Sequence, residues 1–251
     1  MTTIIAMHSF RGGTGKSNTT ANFAAILAAQ GKRVGVVDTD IQSPGIHILF
    51  GLAGEDIGYS LNDYLWNKCS IRQAARDVTP NLGEKIKGCI YLIPSSINPG
   101  EITRVIREGY DAHLLTRGFK DLIDALNLDI LMIDTHPGLG EENLLSIVIS
   151  NTLVIILRPD QQDYEGTGVA VQVARKLKVP RMVLVVNKVP AVFDTEQLKA
   201  KVEKIYSAPV IAMLPHSDEM MALASGGIFS LRYPDHPMTK LYQEAASRLL
   251  E

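Results

Sequence analysis

Short apolar runs recur along the chain, separated by stretches in which apolar positions return every three or four residues. The runs at 3–7, 33–37, 90–93, 130–133, 153–157, 182–186 and 210–213 read as β-strands buried on both faces. Helical periodicity covers 19–30, 112–126, 163–177, 195–206 and 238–250. In the second of these helices Leu115, Phe119, Leu122 and Leu126 fall on one face. Gly31 is a natural C-cap for the first helix, and Pro94 closes the third strand. From 41 to 87 the pattern is irregular, with short helices expected at 60–66 and 71–77. Strands alternating with helices predict an α/β fold, a mostly parallel twisted sheet of about seven to eight strands with helices on both faces. With no internal repeat, low-complexity tract or long linker, residues 1–251 are expected to form a single domain.

Composition narrows this picture a little. At 251 residues, 46% hydrophobic and 21% charged, the chain is large enough for a well-buried core. A formal net charge of −2 gives no global pull towards nucleic acid. Cys69 and Cys89 are too far apart for a C-x-x-C motif and read as free thiols in a reducing compartment. No apolar run approaches the roughly 20 residues of a membrane helix. The first residues form a strand rather than a leader, so a cytoplasmic protein is expected.

The strongest chemical signal follows that first strand. His8-Ser9-Phe10-Arg11-Gly12-Gly13-Thr14-Gly15-Lys16-Ser17 joins a buried strand to an alanine-rich helix. Glycines let backbone N–H groups converge, the helix N-terminus adds positive potential, and Lys16 contributes a full charge. The result is a phosphate cradle, with the Ser17 hydroxyl placed to ligate Mg²⁺. The pattern G-x-x-x-x-G-K-[ST] fails only at its first glycine, where Phe10 stands. Asp134 closes the strand at 130–133, where a carboxylate can hold Mg²⁺. Asp38 and Asp40 end the second strand and share one side if that strand persists. One of them can then assist the metal while the other orients or deprotonates a water.

These motifs resemble the deviant-Walker P-loop ATPases typified by the division-site protein MinD and the partition protein ParA. Arg11–Ser17 resembles the deviant Walker A loop, and 38–44 the first switch, D-x-D-x-[QG]. Asp134-Thr135-His136-Pro137-Gly138 resembles the second switch, usually D-[ST]-P-[PA]-G, with His136 an unusual occupant. Asn187 matches the strand-end asparagine that reads adenine, and the loop from Leu214 through Pro215 and His216 to Asp218 the one that packs against the base.

The resemblance implies a P-loop NTPase fold, ATP and Mg²⁺ as ligands, and slow, partner-stimulated hydrolysis by an ATP-sandwich homodimer. It implies a phosphate site of Gly12, Gly13, Thr14, Gly15, Lys16, Ser17 and Asn18. Lys16 would hold the β- and γ-phosphates, Ser17 would bind the metal with Asp38 and Asp134 in its outer shell, and Asp40 would position the attacking water. The family's signature lysine, which reaches the partner's phosphates, is replaced by Arg11. A guanidinium acting there as an arginine finger contributes on the order of 10³ to 10⁵ in rate. Arg158, at the end of another strand, is a second candidate for that cationic role.

Several readings of the surroundings stay open. MinD itself carries a C-terminal basic amphipathic helix for the membrane; this chain stops at Arg248-Leu249-Leu250-Glu251, so no direct membrane anchor is expected. Residues 172–204 hold eight basic against three acidic residues, either a non-specific DNA surface or the solvated faces of two helices. Tyr64 and Trp66 serve either a protein partner or packing, while His47, His113 and His216 lack metal-ligand spacing. Three functions compete: a positioning switch that recruits a partner, a maturation factor for a metal centre, and a regulatory ATP binder with little hydrolysis.

Overall fold

The computed structural model describes residues 2–84 and 86–251. Eight strands form one sheet: β1 Thr3–His8, β2 Arg33–Asp38, β3 Arg76–Asp77, β4 Cys89–Ile93, β5 Ile130–Asp134, β6 Thr152–Leu157, β7 Arg181–Val189 and β8 Val210–Pro215. Their order across the sheet is β3-β4-β2-β5-β1-β6-β7-β8. The short β3 runs antiparallel to β4, and every other pair is parallel. The α/β fold and the strand count read from the sequence are therefore present.

The strand interiors are apolar on both sides because helices cover both faces. Alternate residues sort cleanly. Ile5 and Met7 of β1, Val34 and Val36 of β2, and Ile130 and Met132 of β5 face the helices Lys16–Ala29 and Pro237–Leu249. On the other face, Leu131, Ile133 and Val37 pack with the helix Ala112–Leu126, through Leu115, Phe119, Leu122 and Leu126. Ala6 and the inner residues of β6 and β7 lie on that same face against the helices Gln161–Lys176 and Thr195–Tyr206.

Two differences from the sequence reading matter. The helix expected at 71–77 ends at Ala74, and Arg76–Asp77 become the edge strand on β4. Helices also form where the sequence reading assigned no element, chiefly Pro99–Glu108 and Glu141–Ile149. The first of these carries a signal that periodicity missed: Asn98 accepts a hydrogen bond from the Gly100 N–H, with Pro99 at the first helical position.

Register places the functional end of the sheet. Met7 and Asp38 both pair with Asp134, so β1, β2 and β5 finish on one line. The sheet turns at β1, whose neighbours β5 and β6 lie on opposite sides, and ligands of open α/β sheets sit at such a point. The helix Lys16–Ala29 is anchored there by Phe23, fully buried and edge-on to Tyr242, with ring centroids 5.9 Å apart. Phe23→Ala should lower stability by about 3–5 kcal/mol. Urea unfolding would read this as a lower midpoint with an unchanged slope.

Candidate functional site

The loop between β1 and the helix Lys16–Ala29 has the backbone of an anion cradle. Gly13 and Gly15 have φ of 75° and 90°, left-handed values that other residues rarely adopt. No side chain caps the helix and no acidic residue occupies its first turn, so its N–H groups and its positive end are left for an anion. Phe10 fits in place of the usual glycine because its ring lies on Gly166 of the helix Gln161–Lys176, too close to leave room for a Cβ.

Below the loop lies a buried charge cluster. The Lys16 ammonium donates to Asp134 Oδ1 at 2.8 Å, and the Thr20 hydroxyl donates to the same oxygen at 3.0 Å. Asp38, paired in register with Asp134, accepts the backbone N–H of Asp40 on Oδ1. The second carboxylate oxygen of each aspartate is buried and unpartnered. Burial, with the charge of Asp134 next in size, pushes the Asp38 carboxyl well above the usual carboxylate range. Two buried aspartates, each with an unpartnered oxygen, below a phosphate cradle whose helix carries Ser17 in its first turn offer hard oxygen donors that fit Mg²⁺.

The Asp40 side chain has partners of its own. β2 ends at Asp38, so the alternation that would place Asp38 and Asp40 on one side does not continue. Instead Asp40 Oδ1 accepts the Ser43 N–H at 3.1 Å and lies 2.7 Å from Nδ1 of His136. The sequence flagged His136 only as a departure from the second-switch pattern; its contact with Asp40 spans 96 residues and was not foreseen.

Arg11 is held within its own chain. Its Nη1 stands 3.4 Å from Asp163 and 3.7 Å from Asp160, and its side chain is 40% exposed. Arg158 makes the tighter contact, with Nε at 3.0 Å and Nη2 at 3.2 Å from the two oxygens of Asp163. Burial alone would raise the Asp163 carboxyl. Hydrogen bonds from the Arg158 side chain and backbone, with the charges of Arg158 and Arg11, hold it below the usual range instead. Arg158, the second candidate for the signature lysine's role, is thus engaged with Asp163 of its own chain.

On the other flank of the loop, a cavity of about 380 Å³ is lined by Gly13, Gly15, Asn18, Asn187, Pro215 and His216, with methionines and Tyr242 at its apolar wall. Asn187 lies inside β7 rather than at its end. Its amide nitrogen donates to the Thr14 carbonyl at 2.8 Å, and its oxygen accepts the Lys188 N–H. Asn187 thus braces the phosphate loop as well as lining the cavity. Lys188 does the same through the Gly13 carbonyl at 2.9 Å. Of the basic residues in 172–204, Arg175, Arg181, Lys188 and Lys201 are engaged with backbone carbonyls or with the Tyr164 ring.

Fold and loop together define a nucleoside-triphosphate-binding α/β protein of the P-loop class. The chain belongs to the ParA family: the family model described as ParA, NUBPL iron-transfer P-loop NTPase, matches residues 1–250. An uncharacterized ATP-binding protein of Methanocaldococcus jannaschii is 29% identical over 100% of this chain and 88% of its own length. An iron-sulfur cluster carrier protein of Saccharolobus solfataricus is 25% identical over 98% of this chain and 82% of its own. The septum site-determining protein MinD of Pyrococcus horikoshii, solved with Mg-ADP, superposes with a TM-score of 0.80. That match covers 99% of this chain and 96% of that one, at 18% identity, a likeness of fold.

The residue leading into the loop has a pH consequence. The Thr135 hydroxyl donates to the Met7 carbonyl, so its oxygen accepts from His8 Nδ1–H. Burial, and then the Lys16 charge, lower the His8 pKa from 6.5 to about 3. Between these values the unfolded chain binds a proton that the folded chain does not, so stability falls as pH drops below 6.5. The loss from this group is up to about 1.4 kcal/mol per pH unit. In His8→Asn, which keeps a donor towards Thr135, denaturant midpoints between about pH 6 and 4 should fall less steeply with acid.

Proposed function

We propose that the protein is an ATP-hydrolysing switch of the MinD/ParA type, a single ATPase unit over residues 1–251 that forms a homodimer with ATP and releases it after hydrolysis. The observation that carries this reading is the meeting of a phosphate cradle with two buried, half-satisfied aspartates at three aligned strand ends. The backbone of Gly12, Gly13, Thr14, Gly15 and Asn18, with Lys16, holds the β- and γ-phosphates. The Lys16 ammonium exchanges Asp134 for phosphate oxygens, which frees that carboxylate. Ser17, Asp38 and Asp134 would hold Mg²⁺, which would supply positive charge to offset that of the phosphates. Asp40 positions the water. The cavity beside Asn187, Pro215 and His216 takes the adenine.

Turnover is slow until a protein partner acts on the dimer, and Arg11 is the residue offered across it. In this chain Arg11 must leave Asp160 and Asp163 to do so. The Asp160 contact, 3.7 Å long between two exposed side chains, is of the kind worth at most about 1 kcal/mol, and the Asp163 contact is made by a single nitrogen at 3.4 Å. They are a weak hold, and Arg158 keeps Asp163 satisfied once Arg11 has gone. DNA is a less favoured surface ligand, because half of the basic residues of 172–204 already have internal partners.

A second reading is supported by the family description and by the cluster-carrier relatives: a dimeric ATPase that carries an iron–sulfur cluster as cargo. Cys69 and Cys89 are free and half-buried, and no group of three metal-ligating side chains occurs among the described residues. A cluster would therefore need ligands from both protomers. Anaerobic reconstitution with iron and sulfide separates the readings: visible absorbance lost in Cys69→Ser or Cys89→Ser favours the carrier, and none favours the switch.

Sedimentation velocity tests the switch itself, with ADP, with ATP, and with ATP and Asp40→Ala. The expected outcome is a monomer with ADP, a dimer with ATP, and a longer-lived dimer in the variant. A monomer in all three would overturn the proposal.

A further inference from the structure

The two switch loops meet in one side-chain contact that the proposed reaction does not by itself require. Asp40 lies on the loop after β2, residues 39–44, and His136 on the loop after β5, residues 135–140. Their contact, Nδ1 to Oδ1 at 2.7 Å, has the length of a charge-assisted hydrogen bond. Because a carboxylate only accepts, the imidazole must donate from Nδ1.

The two partners differ in how firmly they are held. The loop after β5 is pinned along its length. The Thr135 N–H donates to the Met7 carbonyl and the Gly138 N–H to the Ser9 carbonyl. The buried Asn143 amide donates to both the His136 and Gly138 carbonyls, each at 2.8 Å. His136 is thus presented from a rigid support fastened to the phosphate-loop strand. Asp40 instead lies beyond the last residue of β2, and among the described residues its carboxylate is met, apart from His136, only by the Ser43 N–H of its own loop. Both bonds fall on Oδ1, and Oδ2 is left for a water.

We infer that His136 is a positioning residue that clamps Asp40, fixing the orientation of its carboxylate for hydrolysis and tying the first switch to the second. The inference rests on the ATPase reading above. In the step it supports, Asp40 Oδ2 accepts a hydrogen bond from a water whose oxygen forms a bond to the γ-phosphorus. The bond from that phosphorus to the bridging oxygen breaks, its electron pair leaves on ADP, and the water's proton passes to Asp40 and on to phosphate or solvent. His136 does not touch the reacting atoms; it sets the direction from which Asp40 reaches the water.

An open cavity of about 490 Å³ adjoins the pair, lined by Thr39, Gln42, Val105, Tyr110, His113 and His136. Solvent has a route there to the imidazole side of the clamp, and a ligand or partner in that cavity would press on His136 before it reached the phosphate loop.

The test compares wild type, His136→Ala, His136→Asn and Asp40→Ala for ATP turnover across ATP concentrations. Amide hydrogen exchange over 39–44 is measured alongside, with a non-hydrolysable ATP analogue bound. Asparagine carries a donor nitrogen at the δ position, as histidine does. In His136→Ala kcat should fall about tenfold or more while KM for ATP stays within about twofold. His136→Asn should recover part of the loss, and exchange over 39–44 should quicken in both His136→Ala and Asp40→Ala relative to wild type. Unchanged kcat in His136→Ala, or a loss that follows KM, would overturn the inference. If wild type shows no turnover the ATPase reading fails instead, and exchange alone then decides the clamp: quicker in His136→Ala supports it, unchanged refutes it.

Discussion

The ion pair between Lys16 and Asp134, 2.8 Å long and with the two side chains 5% and 1% exposed, is the contact on which the site depends. Burying two charges costs several kcal/mol per ion, and an apolar pair of similar volume would often hold the helix to the sheet as well or better. Stability is therefore a poor explanation for its presence. What it does is keep an ammonium directly under the phosphate cradle and a carboxylate at the end of β5, each satisfied by the other. A phosphate that takes the lysine releases an aspartate, and a cation that takes the aspartate releases the lysine. Binding of the two ligands is then coupled through one exchange of partners, and the desolvation has already been met by folding.

The surrounding fold serves that exchange. Parallel pairing fixes the register of β1, β2 and β5 so that Met7, Asp38 and Asp134 lie on one line. A slip of one residue would turn Asp134 to the opposite face. Alternation of apolar residues between two helix-covered faces makes such a slip costly, because every inward residue would change sides at once. The geometry of the candidate site is inherited here from strand register, and register from the hydrophobic pattern.

That is also why so much of the site was legible in the sequence and part of it was not. The strands, the helix Ala112–Leu126 and the phosphate loop are written in local patterns: short apolar runs, a 3.6-residue period, glycines before Lys16. Asn98-Pro99 is an equally local signal for the helix Pro99–Glu108, carried by a cap rather than by periodicity. By contrast, Phe10 on Gly166, Arg11 beside Asp163 and His136 against Asp40 join residues far apart in sequence, and no spacing rule connects them. A strand period would group Asp38 with Asp40, but β2 ends two residues short of Asp40. The sequence named both aspartates but could not separate their surroundings.

Arg11 shows how the same physics can place a substituted residue. A lysine at this position would present a compact, strongly hydrated charge, easily drawn back into water. The guanidinium instead spreads its charge over a planar fork, and here it shares Asp160 and Asp163 with Arg158. Arg158 takes the inner, better-formed contact, through two nitrogens and with Asp163 only 2% exposed. Arg11 takes the outer one, by a single nitrogen at greater distance. The division leaves the inner arginine structural and the outer one movable at little cost. The larger side chain at the phosphate loop is thus kept in order by carboxylates that do not need it, and a demand for cationic charge elsewhere meets only the weaker of two contacts.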